Sequence, residues 1–196
     1  MDHARGYKLF AILTLLTTAL LVQRARPAQA ESSKTSIQPL LVYGVGSVVP
    51  GTGSILVRTK EGVGATVHAF GLVPGNVYTL WWGIFNNPKK CATNPCSPAD
   101  LPNPDVQAVV LWGSGQIAGD DGTADFGAFR AVGDPSGQAS LGTAMALEEP
   151  LKAQIHLAVR SHGSVIPGML SDQLSTFNGG CPPNMCMNVQ VAVHEP

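Results

Sequence analysis

Charge is what this chain is shortest of. Only 13% of its 196 residues are Asp, Glu, Lys or Arg, and no run of lysines or arginines forms a basic stripe. Nucleic acid and anionic membrane surfaces are held through clustered cations, so neither is an expected partner. Long apolar runs are missing too. The longest, residues 9–22, falls short of the ~20 residues that a membrane span needs. It follows Arg5 and Lys8 and precedes Ala28-Gln-Ala30, which has the small-x-small form of a cleavage site. Residues 1–30 therefore read as a secretory signal peptide. The expected mature chain is mildly acidic, exported to the periplasm or the extracellular space, and not inserted in a membrane.

The usual catalytic signatures are also absent. There is no Gly-x-Ser-x-Gly elbow, so the common hydrolase arrangement has no anchor. Asp120, Asp121, Asp125, Asp134, Glu148 and Glu149 sit in or beside turns rather than as a facing pair, which argues against a glycosidase and weakly for calcium. Gly44-x-Gly46 and Gly62-x-Gly64 precede no helix, so a phosphate cradle fails. No His-x-His strand suggests a copper-zinc dismutase site, and Cys186 and Met187 precede His194 rather than framing it as a cupredoxin would. No catalytic residue and no cofactor is expected. No helical period exceeds two turns, and no repeat of 20–50 residues is evident.

What remains is turn chemistry and alternation. With 22 Gly and 15 Pro, short strands separated by turns are the natural reading. Strands are expected over residues 40–49, 54–60, 65–72, 76–85, 108–118 (broken near Gly113-Ser-Gly115), 123–132, 152–163 and 189–194. Residues 31–39 read as a flexible arm, 133–142 as a loop, 143–149 as a short helical turn, and 164–188 as a long irregular loop. About eight strands at this spacing predict a single antiparallel β-sandwich over 40–196, immunoglobulin-like or related, with long disulfide-tied loops.

The richest strand is 152–163. Ile155, Leu157 and Val159 share one face; Gln154, His156, Ala158, Arg160 and His162 share the other. The first set marks a core strand. The second is the best place to look for a site, with Arg160 and His162 either facing a ligand or anchoring the following loop. His68, His156, His162 and His194 give an alternative, a copper or zinc site, should their strands converge. Trp81 and Trp82 must point to opposite faces. One is core. The other, with Tyr78, Phe85 or Trp112, is a candidate aromatic platform unless the 86–105 loop covers it, and Trp82 joins Arg160 and His162 as a ligand-binding candidate.

Four cysteines allow three disulfide connectivities. Cys91-x4-Cys96 and Cys181-x4-Cys186 each lie in a loop rich in Pro and Asn, so two local bridges are expected in an oxidising compartment. Closing so small a loop stabilises by roughly 2 kcal/mol. Zinc held by the four thiolates is the rival.

The segments GLVPGNVYTLWWG, QIAGDDGTADFGAF, AQIHLAVRSHG and QLSTFNGGC resemble stretches of uncharacterised exported bacterial β-sandwich proteins. The hairpin chemistry alone also resembles modules of the chordin-repeat type. Neither resemblance implies an activity or a catalytic residue. The sequence thus leads to an exported, non-catalytic binding or structural protein, its partner a protein, a glycan or another small molecule. A periplasmic metal-binding protein and an unrecognised hydrolase are the alternatives.

Overall fold

Alternating side chains build the first layer of the molecule. In the computed structural model, which describes residues 33–196, Ser54, Leu56 and Arg58 of one strand are buried while Ile55 and Val57 are exposed. That strand, β3 (Gly53–Arg58), pairs with β1 (Lys34–Gln38) on one side and β4 (Gly62–Ala69) on the other. With β7 (Ala124–Ala131) beyond β4, they form an antiparallel four-stranded sheet in the order β1-β3-β4-β7. One face packs inward and the other meets solvent.

The second layer has six strands: β2 (Leu41–Val42), β10 (Met187–His194), β9 (Gln154–Ser164), β5 (Asn76–Phe85), β6 (Ala108–Ile117) and β8 (Gln138–Gly142), in that spatial order. The pairings are antiparallel. Between the sheets lies one core containing Leu56, Val67 and Phe126 from the first sheet and Tyr78, Leu80, Trp82, Leu111, Leu157 and Val159 from the second. The expected all-β sandwich with disulfide-tied loops is the architecture found, and both cysteine pairs are bridged locally, with Cα atoms 5.3 and 5.9 Å apart. Among the described residues no helix is long and apolar enough to cross a membrane. The expected signal peptide lies outside the described residues.

Several element assignments change. Residues 34–38 are not a loose arm: they form β1 along the edge of the first sheet. Residues 40–49 make no continuous strand. Gly44 and Gly46, with φ of 75° and 83°, fold the chain back so that Leu41 bridges Val48. Residues 138–142, expected as loop, are β8, and 143–149 form bends instead of a helical turn. The loop after β9 contains a short helix, α1 (Leu170–Ser175). The largest difference is β6, which runs unbroken through Gly113 and Gly115. A Cβ on Gly115 would lie 2.2 Å from the carbonyl oxygen of Leu174, and one on Gly113 would meet the Leu80 carbonyl and Trp82 at 3.0 and 3.2 Å. These glycines admit α1 on one face and the core on the other.

Two buried polar groups tie the layers together. Arg58, fully buried, donates from Nη1 to the carbonyls of Pro150 and Ala153 and from Nη2 to those of His194 and Glu195. Burial without a carboxylate partner pushes its pKa down to about 10. His194 reaches Ser36 and Ser54 of the opposite sheet at 2.7 and 2.9 Å. Ser54 already donates to the Gln38 carbonyl, so it accepts from Nε2–H, and Nδ1 accepts from Ser36.

Candidate functional site

The strand β9 lies between β5 and β10, and its polar face points away from the sandwich core. The register aligns this outer face in rows. Val110, Gly83, His156 and Val193 form one; Trp112, Trp81, Ala158 and Val191 the next; Thr79, Arg160 and Asn188 a third. The central strand β5 is buried on both faces, which explains why its sequence shows no clean alternation. The covers are the two cysteine loops. They sit at opposite ends of β9. Cys96 N donates to Gln154 Oε1 at one end, and His162 Nδ1 meets the Gly179 carbonyl at the other. Eight residues of strand separate these contacts, about 26 Å.

The first loop carries its own small core of Phe85, Cys96, Val106 and Ala108. Asp100 organises it, accepting from the backbone N–H of Ala92 and Ser97 at 2.7 and 2.8 Å. Those two donors hold the Asp100 carboxyl below its ordinary pKa. Asn86 fastens the loop's start, donating to the Gln107 and Ala146 carbonyls while accepting from Glu148 N.

The second loop is fastened by Arg160 and His162. Arg160 Nε donates to the Phe177 carbonyl at 2.8 Å, and its guanidinium stacks 3.9 Å over the Phe177 ring. Asn178 and Asn188 accept weaker bonds at 3.3 and 3.4 Å. His162 is fully buried, and its tautomer is fixed by its neighbours. Trp81 Nε1–H donates to Thr79 Oγ1 at 2.6 Å, Thr79 donates to His162 Nε2 at 2.8 Å, and Nδ1–H donates to the Gly179 carbonyl at 2.9 Å. Desolvation lowers its pKa, the Gly179 bond opposes this, and the Arg160 charge adds to it. Gln173, also fully buried, donates to the carbonyls of His162 and Ser164 and accepts from Ile166 N.

Arg160 and His162 therefore hold the loop instead of offering themselves to a ligand. Trp82 is fully buried between the sheets, so it forms no platform. Its neighbour Trp81 is the outward one, and its cover is Phe177 of the second loop, edge to face at 5.0 Å between ring centres. The four histidines do not converge. His68 is on the solvent face of the other sheet, paired with Asp125 at 2.7 Å. His194 lies between the sheets. His156 accepts at Nε2 from Gln154 and packs at a tilt against the Phe85 ring, 4.9 Å between ring centres. His162 is six residues further along β9, about 20 Å away. The four-histidine metal site is thus overturned by the register of their strands.

Between the two fastened loops a groove stays open. Its floor is Trp81, Gly83, His156 and Ala158; its walls are Pro98 and Leu101 from the first loop, Phe177 from the second, and Tyr43 and Leu141 from the sheet's two edges. The cavity holds about 210 Å³. Gly83 makes the floor low, since a Cβ there would stand 3.2 Å from His156 Cβ. Burial, with a smaller contribution from the His194 charge, lowers the His156 pKa to about 4, so its ring is neutral near pH 7. The groove is apolar with a few placed polar groups, Tyr43, Asn188 and neutral His156, which is the composition of a binding site.

A larger hollow of about 930 Å³ lies outside the first loop, lined by Asn86, Asn87, Lys89, Thr93 and Lys152 among others. It is more open than the groove and more polar in its lining. The Asn86 amide is already bonded to backbone and Lys152 pairs with Glu149, so size alone does not make it the better site. Phe177 and Tyr43, which complete the groove, were not among the sequence-derived candidates. Both lie in irregular segments with no periodicity to mark them. Comparison of the chain with protein-family models, curated proteins and solved structures returned no match.

Proposed function

We propose that this chain is an exported, non-catalytic binding protein that seats one apolar or aromatic group of its ligand in the groove over the six-stranded sheet. The observation that carries the reading is the enclosure of that groove. Aromatic residues from three separate segments, Tyr43 after β2, Trp81 and Phe85 on β5, and Phe177 of the second loop, surround a floor lowered by Gly83. Two disulfide-tied loops hold the walls on opposite sides. A space of about 210 Å³ suits a single ring or branched apolar group rather than a whole cofactor. The placed polar groups at its rim give direction to what enters. Two local disulfides are compatible with export, which the sequence of residues 1–30 also favours. The Nε2 lone pair of the groove's His156 is taken by the Gln154 amide, which speaks against a general-base role for that ring.

The test is a thermal-shift screen of the purified chain against small apolar and aromatic compounds, repeated with Ala158→Phe. That substitution fills the groove from its floor without touching the inter-sheet core. Stabilisation of the native protein by such compounds, lost in Ala158→Phe, is the expected result. Compounds that stabilise both proteins equally bind elsewhere and overturn the reading, as does a screen in which none stabilises.

A further inference from the structure

Cys181, Cys186 and His162 bring one ring nitrogen and two sulfur atoms to a single point, all within 4.8 Å of one another. This cluster is separate from the groove, and its reading goes beyond the binding role proposed above. His162 Nδ1 is 3.5 Å from Cys186 Sγ. In a tetrahedral site with metal–sulfur and metal–nitrogen bonds of about 2.3 and 2.0–2.1 Å, the nitrogen and sulfur atoms stand about 3.6 Å apart. The Gly179 carbonyl oxygen faces the same point, 2.9 Å from Nδ1 and 3.4 and 3.8 Å from the two sulfur atoms. The donors are also held in place. His162 is fully buried on β9, and the backbone of the loop is pinned by Asn184, whose side chain donates to the His162 and Ser164 carbonyls at 2.8 and 2.7 Å. Access exists from outside: both cysteines are half-buried, and an open hollow of about 440 Å³ runs along Gly179, Gly180, Cys181 and Pro182.

We propose that opening the Cys181–Cys186 bond converts this cluster into a site for a thiophilic d10 cation, Zn²⁺ or Cu⁺, bound by Cys181 Sγ, Cys186 Sγ and His162 Nδ1. A dithiol reductant supplies two electrons and two protons and is itself oxidised to a disulfide; the bridge becomes two thiols. The cation then displaces both thiol protons. The proton on Nδ1 leaves and one is taken up at Nε2, so two protons are released per cation. The second step has a ready partner. Thr79 Oγ1 sits 2.8 Å from Nε2, and once its own hydroxyl proton turns away it accepts from Nε2–H as well as from Trp81. A metal-bound histidine commonly donates its other ring N–H in this way. A disulfide oxidant reverses the sequence by thiol–disulfide exchange: it takes the two electrons and is reduced to two thiols, the Cys181–Cys186 bridge re-forms, and the cation is released.

Untagged protein is divided, one half is reduced with dithiothreitol and freed of it anaerobically, and both halves are titrated with Zn²⁺ and, separately, with Cu⁺ against a chromophoric chelator. The reduced protein is expected to take up one equivalent and the oxidised protein none, and the cation that better resists the chelator is the preferred one. The Cys91→Ser/Cys96→Ser variant keeps this capacity, whereas Cys181→Ser lowers affinity at least a hundredfold. Nitrogen-15 spectra of the wild-type imidazoles need no variant to fold: loading moves the His162 proton from Nδ1 to Nε2. Equal uptake by both halves, uptake by neither, or a proton that stays on Nδ1 overturns the proposal.

Discussion

Arg160 holds Phe177 twice, donating to its carbonyl at 2.8 Å and covering its ring at 3.9 Å. One side chain on β9 thus sets both the backbone and the ring of the residue that forms one wall of the groove. Removing it should loosen the whole second loop. We expect Arg160→Ala to cost about 2–4 kcal/mol, from a lost charge-assisted hydrogen bond and a lost cation–π contact. Arg160→Lys should recover little, because a lysine cannot present the planar fork. Urea denaturation gives the first number, and limited proteolysis within 176–186 reports the loop directly. Unchanged stability and unchanged proteolysis would place the anchor elsewhere.

Stability should fall in acid earlier than carboxylate titration alone predicts. His156 and His194 have folded pKa values of about 4, lowered mainly by burial and further by the charges of His194 and Arg58 respectively. In the unfolded chain each returns to about 6.5. Between these values the unfolded state binds more protons, so stability rises with pH. It is fully present above about 6.5 and is lost as pH falls toward 4, by up to about 1.4 kcal/mol per pH unit for each histidine. Denaturant midpoints measured from pH 7.5 to 4 test this, and two histidines titrating near pH 4 in NMR spectra would identify the groups. Midpoints that stay flat until the carboxylates titrate would contradict it.

The glycines of β6 offer a test of how helix and sheet meet. Gly115→Ala places a methyl carbon 2.2 Å from the Leu174 carbonyl oxygen, an obstacle of backbone that cannot rotate away. We expect a cost of about 1–3 kcal/mol and weakening of the Trp112 Nε1–H bond to that same carbonyl, now 2.9 Å. Hydrogen exchange of the Trp112 indole should quicken. Exchange that is unaltered would mean that α1 is held by other contacts.

Much of the sandwich was legible because its core strands carry local patterns. Ile155, Leu157 and Val159 mark the inner face of β9 by period alone, and Asp120-Asp-Gly122 marks a turn by chemistry. The glycine pair in β6 was misread because a glycine that breaks a strand and one that admits a neighbouring carbonyl look alike until the neighbour is placed. β1 was missed because polar Lys34, Thr35, Ser36 and Gln38 lie on a half-exposed edge, where pairing with β3 outweighs intrinsic preference. The site was harder still. The polar face of β9 was visible, yet which of its residues anchor loops and which floor the groove depends on Phe177, Gly179 and Tyr43, all distant in sequence and set in irregular backbone. Trp82 and Trp81 illustrate the limit: alternation puts them on opposite faces but does not say which face is covered by what.

The groove reading is tested most directly by locating a bound compound. Any compound that stabilises the protein is added to isotope-labelled chain, and shift changes are followed at the Ala158 methyl, the Trp81 indole N–H and the ring of Phe177. The account predicts that the largest changes cluster at these three groups and at His156. The exposed apolar face of the four-stranded sheet, marked by Ile55 and Phe129, should stay unchanged. Changes centred on Ile55 and Phe129, with Ala158 and Trp81 still, would contradict the assignment of the site.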